Sequence, residues 1–185
     1  MKKSIAIIIL AIVAMSASAQ FSETIPGSLR LGAGYVKDFP GMGGFGVYTE
    51  YTMPMSDWLE GGIGLKRIST KGNPRTQSVT EFTKATTLDF NLLLIPARSE
   101  DFALKIGAGY SFSFYKIKRS FPVYENGNKE AQWIPQESKG RVSGISLLGE
   151  FEYFVREDIS AGMRLSLSKA YSNVLMAGPF VAIRF

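Results

Sequence analysis

Along most of the chain, apolar and polar residues alternate one for one, in runs broken by turn-forming residues. In 102–114, Phe102, Leu104, Ile106, Ala108, Tyr110, Phe112 and Phe114 fall on one side of the alternation, and Ala103, Lys105, Gly107, Gly109, Ser111 and Ser113 on the other. A period of two is the mark of a β-strand, whose successive side chains point to opposite faces. The pattern predicts eight strands, over 28–36, 44–53, 58–68, 81–95, 102–115, 141–155, 159–168 and 174–185. No segment beyond residue 20 sustains a helical period, and no linker divides the chain into domains.

The connections alternate in character. Residues 53–57, 96–101 and 156–158 read as tight polar turns, whereas 69–80 and 116–140 read as long polar loops, joined on their side by shorter ones at 37–43 and 169–173. In an up-and-down sheet of even strand number both chain ends lie on one side, and every tight turn falls there with them. Short turns on one side and longer loops on the other are the habit of transmembrane β-barrels.

The chemistry of the two faces separates a membrane barrel from a soluble one. One face is continuously apolar, as in Leu29, Leu31, Ala33 and Tyr35, or Met163, Leu165 and Leu167. The other carries Arg30, Lys66, Lys105, Arg164 and Arg184 against Glu50, Glu60, Asp89, Glu150 and Glu152, five of each sign, with glycine and serine filling many remaining places. A narrow lumen needs such small residues to give long charged side chains room. Aromatic residues fall near the strand ends: Tyr51, Phe102, Tyr153 and Phe185 at one, Tyr35, Phe45, Phe112 and Phe114 at the other, as two membrane interfaces select. The pattern therefore predicts an all-β, eight-stranded antiparallel up-and-down transmembrane barrel with a balanced charge network inside. The competing reading, a soluble periplasmic lipocalin-like barrel, would place these charges in bulk water and make the aromatic face a core.

The first residues stand apart from this pattern. Lys2 and Lys3 precede an apolar run over 5–15, and Ala17-Ser18-Ala19 supplies a small-x-small cleavage site, so residues 1–19 read as a signal peptide and 20–185 as the mature barrel domain. The apolar run is shorter than the ~20 residues a membrane-spanning helix needs. Removing the leader lowers the basic residues from 21 to 19 against 16 acids, a net charge of +3. That charge, with export, argues against a nucleic-acid partner. The chain has no cysteine and no histidine. No disulfide or lipidated cysteine anchor is available, and Ser-His-Asp, Cys-His and His-ligated metal chemistry are excluded. No metal or other cofactor is expected.

Two further patterns have a chemical reading. Gly41-x-Gly43-x-x-Gly46 matches a dinucleotide fingerprint as a string, but the fingerprint needs a strand before it and a helix opening within it, and here a strand follows. Glu150 and Glu152 share a face two residues apart, where charge pairing is the simpler role than acid-base catalysis. In 116–140, Lys116, Lys118 and Arg119 stand near Tyr124 and Trp133. These read as external-loop contacts for lipopolysaccharide or an extracellular partner; alternatively the flanking strands continue beyond the membrane as a protruding hairpin whose basic residues touch lipid phosphates.

The end of the chain, Val181-Ala182-Ile183-Arg184-Phe185, resembles the C-terminal signature of bacterial outer-membrane barrels, with Val181, Ile183 and Phe185 as its apolar positions. With the leader and the eight strands, the mature chain resembles the small OmpX-like, OmpA-transmembrane-type and PorT-like barrels. The resemblance implies a Gram-negative outer-membrane location and recognition of the last strand by the barrel-assembly machinery. It also implies a non-enzymatic protein, since the enzymes among such barrels use a histidine. The expected function is structural or surface-interacting, with a narrow pore or small-solute carrier as the alternative.

Overall fold

The computed structural model describes residues 27–39, 41–72, 80–123 and 132–185. The leader expected over 1–19 and Tyr124 lie outside them. Eight strands follow one another: β1 (Ser28–Asp38), β2 (Met42–Ser56), β3 (Leu59–Gly72), β4 (Glu81–Arg98), β5 (Phe102–Val123), β6 (Gln132–Phe154), β7 (Ile159–Lys169) and β8 (Asn173–Arg184). Each pairs antiparallel with its neighbours in sequence, and β1 pairs with β8, so the sheet closes. Mutual backbone hydrogen bonds between Gly27 and Phe185, at 3.0 and 3.1 Å, finish the seam.

The alternation assigns the faces as the sequence predicts. On β1, Arg30 is buried while Leu31 is 53% exposed. Around the barrel the apolar residues Ile63, Phe90, Leu104, Ile145, Met163 and Val181 face outward and are exposed. A water-soluble protein rarely shows more than a few hundred Å² of contiguous apolar surface. This belt encircles the molecule.

The strand ends differ from the expectation. Pro54 and Pro96, expected in turns, lie within β2 and β4. The register shifts between Pro54 and Ser56 and between Leu94 and Ala97. A proline gives no N–H to the ladder, and a bulge at the sheet margin accommodates it. At the other end the loop read over 116–140 is largely strand, in agreement with the alternative of a protruding hairpin. β5 and β6 stay in register from Phe102↔Tyr153 to Val123↔Gln132, far beyond their other neighbours, and form a protruding hairpin. The β1–β2 connection is tight: Gly41 has φ of 120° and its N–H donates to the Asp38 carbonyl at 2.6 Å. A side chain would be strained there. No helix follows, so the glycine string has no phosphate-binding geometry.

Because Val123 and Gln132 are already cross-strand partners, a two-residue Asn-Gly turn matches the twist needed to join them. Replacing 124–131 by Asn-Gly is expected to leave barrel assembly intact, read as a retained mobility difference between unheated and boiled samples on a detergent gel. Loss of that difference would mean that 124–131 is needed for folding.

Candidate functional site

Every strand contributes to the charged interior. Arg30 comes from β1, Glu50 from β2, Glu60 and Lys66 from β3, Asp89 from β4, Lys105 from β5, Glu150 and Glu152 from β6, Arg164 from β7 and Arg184 from β8. Opposite charges meet directly across the ladders: Arg30 faces Glu50, Lys105 faces Glu150, and Glu150 faces Arg164. The structure brings eight of the ten into one connected layer near the end where Gly27 meets Phe185.

Arg30 is its hub. Its guanidinium lies 2.8 Å from Glu60, 3.1 Å from Glu150, 3.4 Å from Glu152 and 3.9 Å from Glu50. Lys105 Nζ binds Glu60 at 2.7 Å and Glu152 at 2.6 Å. Arg164 bridges Glu50 and Glu150, and Arg184 reaches Glu152 at 3.0 Å. Neutral donors complete the carboxylates: Asn91 donates to Glu50 and Ser160 to Glu152, each at 2.5 Å. The other two form a separate pair, Lys66 to Asp89 at 3.2 Å, with Lys66 also donating to Ser168 and Ser111 to Asp89. Four cations thus face four carboxylates in the layer, and one faces one above it. An unmatched ion here would cost several kcal/mol in desolvation.

Aromatic rings roof the layer. The Arg164 guanidinium sits 4.4 Å from the Tyr48 ring centre and that of Arg30 5.8 Å from Phe180. Gly32 is the cross-strand partner of both Tyr48 and Phe180, and a Cβ on it would overlap the Tyr48 ring. The space among Tyr48, Glu50, Lys66, Asp89, Asn91 and Arg164 amounts to about 20 Å³, room for one water. Above it lies an apolar layer of Val36, Ile68, Ala85, Val174 and Met176. The sequence reading missed this layer, although all five residues lie within the predicted strands, because they are apolar residues on the face read as polar.

The far mouth is closed by polar contacts. Asp38, fully buried, accepts from Thr83 at 2.7 Å and from Ser172. Arg119 lies 3.6 Å from Asp38 and donates to the Phe39 carbonyl and to Ser172, both at 3.4 Å. Glu81 accepts the Ser120 backbone N–H at 3.0 Å. Tyr115 stacks on Tyr171, whose phenol burial pushes above its ordinary pKa.

The expected external contacts therefore separate. Lys116, Lys118, Arg119 and Trp133 lie on strands β5 and β6, not in a loop. Lys116 points outward and binds Glu137 at 2.8 Å. That hydrogen bond, with the nearby charge of Lys139, holds the Glu137 carboxyl below its usual range. Lys118 shares the outward side, as the partner of Phe82. Arg119, expected among the external contacts, is instead turned across the barrel mouth, because it continues the inward parity of Lys105. Trp133 is half-buried. Val181, Ile183 and Phe185 all face outward, and Phe185 stacks on Tyr51 with ring centres 6.3 Å apart. Among the described residues no group of three or more acidic, histidine or cysteine side chains could hold a metal.

An occluded, ion-paired lumen inside an apolar belt defines the fold class: a small eight-stranded barrel of the outer-membrane type. Solved structures of such barrels superpose on nearly the whole chain. Ail, the attachment invasion locus protein of Yersinia pestis, matches with a TM-score of 0.53 at 12% identity, over 87% of this chain and 99% of that one. Neisserial surface protein A matches at 0.57 and 13%, over 87% and 97%. OprG from Pseudomonas aeruginosa matches at 0.57 and 11%, over 88% and 96%. Ail in complex with the heparin analogue sucrose octasulfate matches at 0.55 and 11%, over 87% and 99%. At these identities the likeness is one of fold. No protein-family model matches the chain, and no curated protein matches it by sequence.

The network yields two stability predictions. Arg164→Leu removes the cation that bridges Glu50 and Glu150, leaving four carboxylates to three cations in the layer, and is expected to cost ~3–5 kcal/mol, seen as a lower urea midpoint for the gel-shift unfolding transition. Lys66→Met combined with Asp89→Leu removes both members of the separate pair and is expected to move that midpoint by no more than ~1 kcal/mol. A double variant as damaging as Arg164→Leu would show that the pair belongs to the network.

Proposed function

We propose that this chain is an integral protein of a Gram-negative outer membrane, exported by a leader spanning 1–19, with a structural or surface-interacting role exerted from its far end. The observation that carries the reading is the inversion of faces: exposed apolar side chains on the outside of every strand and matched ions within. A soluble lipocalin-like barrel requires the opposite arrangement.

The distribution of surface charge supports the orientation. Among the described residues, nine basic side chains face outward around the far end: Lys37, Arg67, Lys71, Lys84, Lys116, Lys118, Lys139, Arg141 and Lys169, against the single acid Glu137. The turns at the opposite end, with the adjoining end of β4, instead carry Asp57, Glu100, Asp101, Glu157 and Asp158 against Arg98 and Arg156. The basic rim suits the anionic lipopolysaccharide of an outer leaflet. Ail's polyanionic sugar ligand is a precedent for anionic partners on this fold. The outward Val181, Ile183 and Phe185 fit a final strand delivered by the barrel-assembly machinery, and the β5–β6 hairpin offers a surface to an extracellular partner.

The lumen supports a non-conducting, non-enzymatic reading. Glu150 and Glu152 are held by cations on several sides, leaving neither as a free acid or base. Eight strands leave an interior that side chains just fill, and here ions, rings and an apolar layer occupy it in succession. Purified protein is expected to run differently on a detergent gel when unheated and to give no stable conductance in planar bilayers. Reproducible single-channel steps would establish the alternative, a narrow pore or carrier.

A further inference from the structure

The basic rim is not uniform. On the outward side of β3–β6, Lys84, Lys116 and Lys139 are direct cross-strand partners in one row. Two residues nearer the membrane, about 7 Å along the strands, a second row runs Arg67, Thr86, Phe114, Arg141. Arg67 and Arg141 stand three interstrand spacings apart, roughly 14 Å. Together these residues line one open groove.

Like charges placed directly opposite one another destabilise a sheet, so three lysines in a row need an anion. Among the described residues the only acid there is Glu137, which lies 2.8 Å from Lys116 and 3.5 Å from Lys139. Five cations and one carboxylate leave a surplus of four positive charges. The cations also lie against aromatic rings. Lys84 and Lys116 both lie over the Phe82 ring, at 5.7 and 5.5 Å from its centre, and Arg141 lies over Phe114 at 5.4 Å. Directly below, the exposed Phe112, Tyr110 and Phe90 begin the apolar belt.

We propose that this groove binds the phosphorylated saccharide headgroup of one lipopolysaccharide molecule, with its acyl chains lying along the exposed face of β4–β6. The inference rests on the outer-membrane reading above and narrows it to one side of the barrel. The choice of headgroup follows from charge and width. A surplus of four charges spread over roughly 14 Å matches several phosphates on a sugar scaffold, whereas a glycerophospholipid presents one. The arginine at each end offers bidentate contacts suited to phosphate.

The test uses the folded mature protein in nanodiscs and fluorescent lipopolysaccharide. Lys84→Gln, Lys139→Gln and Arg141→Gln together remove three groove charges; Lys37→Gln, Lys71→Gln and Lys169→Gln together remove three rim charges outside it. The groove variant is expected to lose about tenfold in affinity and the rim variant less than about threefold. On the unmodified protein, dephosphorylated lipopolysaccharide is expected to bind about tenfold more weakly, and phosphatidylglycerol to compete poorly. Equal losses in the two variants, tight binding of the dephosphorylated form, or competition by phosphatidylglycerol at equal concentration would each overturn the assignment. The lipid comparisons on unmodified protein decide the matter even if the groove variant does not fold. Failure of the unmodified protein to show a heat-dependent gel shift would instead count against the outer-membrane reading itself.

Discussion

Hydrocarbon offers no hydrogen bonds, so a sheet immersed in it must leave no strand edge unpaired. Pairing β1 with β8 meets that demand, and the remaining architecture follows from it. Closing only eight strands makes the interior narrow, and a narrow interior must be filled by the inward residues themselves. Charges placed there have little water to turn to, so each is stable only beside its opposite. Arg30, reaching four carboxylates supplied by β2, β3 and β6, is the clearest product of this chain of constraints.

Much of this was legible because one period governs both faces. Once the alternation of β5 is read, Lys105 is inward and Phe112 outward, and parity alone points to ten inward ions, though not to Asp38, Glu81 and Arg119 at the mouth. Parity does not say which ions touch. Arg30 and Glu60 sit on strands that are not neighbours, and their contact depends on barrel closure. Lys66 and Asp89 carried no sequence signal that would set them apart from the other eight.

The misplaced boundaries have separate causes. Pro54 and Pro96 are strong turn residues, yet at a sheet margin a bulge absorbs the missing donor and the strand continues. At the far end the amphipathic signal fades, because β5 and β6 rise beyond the apolar belt and both of their faces carry polar residues. Lys116, Lys118 and Arg119 therefore read as a loop. Extending the parity of Lys105 turns Arg119 inward, to the mouth where Asp38, Thr83 and Ser172 meet. The apolar layer of Val36, Ile68 and Met176 was hidden for another reason: it lies within the predicted strands, but on the face whose charges and glycines marked it as polar.

The shared ownership of the ion layer bears on how this protein can diverge. A salt bridge between two residues can be exchanged for a greasy pair by a double change that touches nothing else. A layer in which Glu152 answers to Arg30, Lys105 and Arg184 at once offers no such independent swap, because altering one member unbalances strands on several sides of the barrel. Drift in the lumen is thereby confined to coordinated changes, while the outward positions, which need only remain apolar, are free to wander. Descendants of this sequence should thus keep their interior ions long after their lipid-facing surfaces have become unrecognisable.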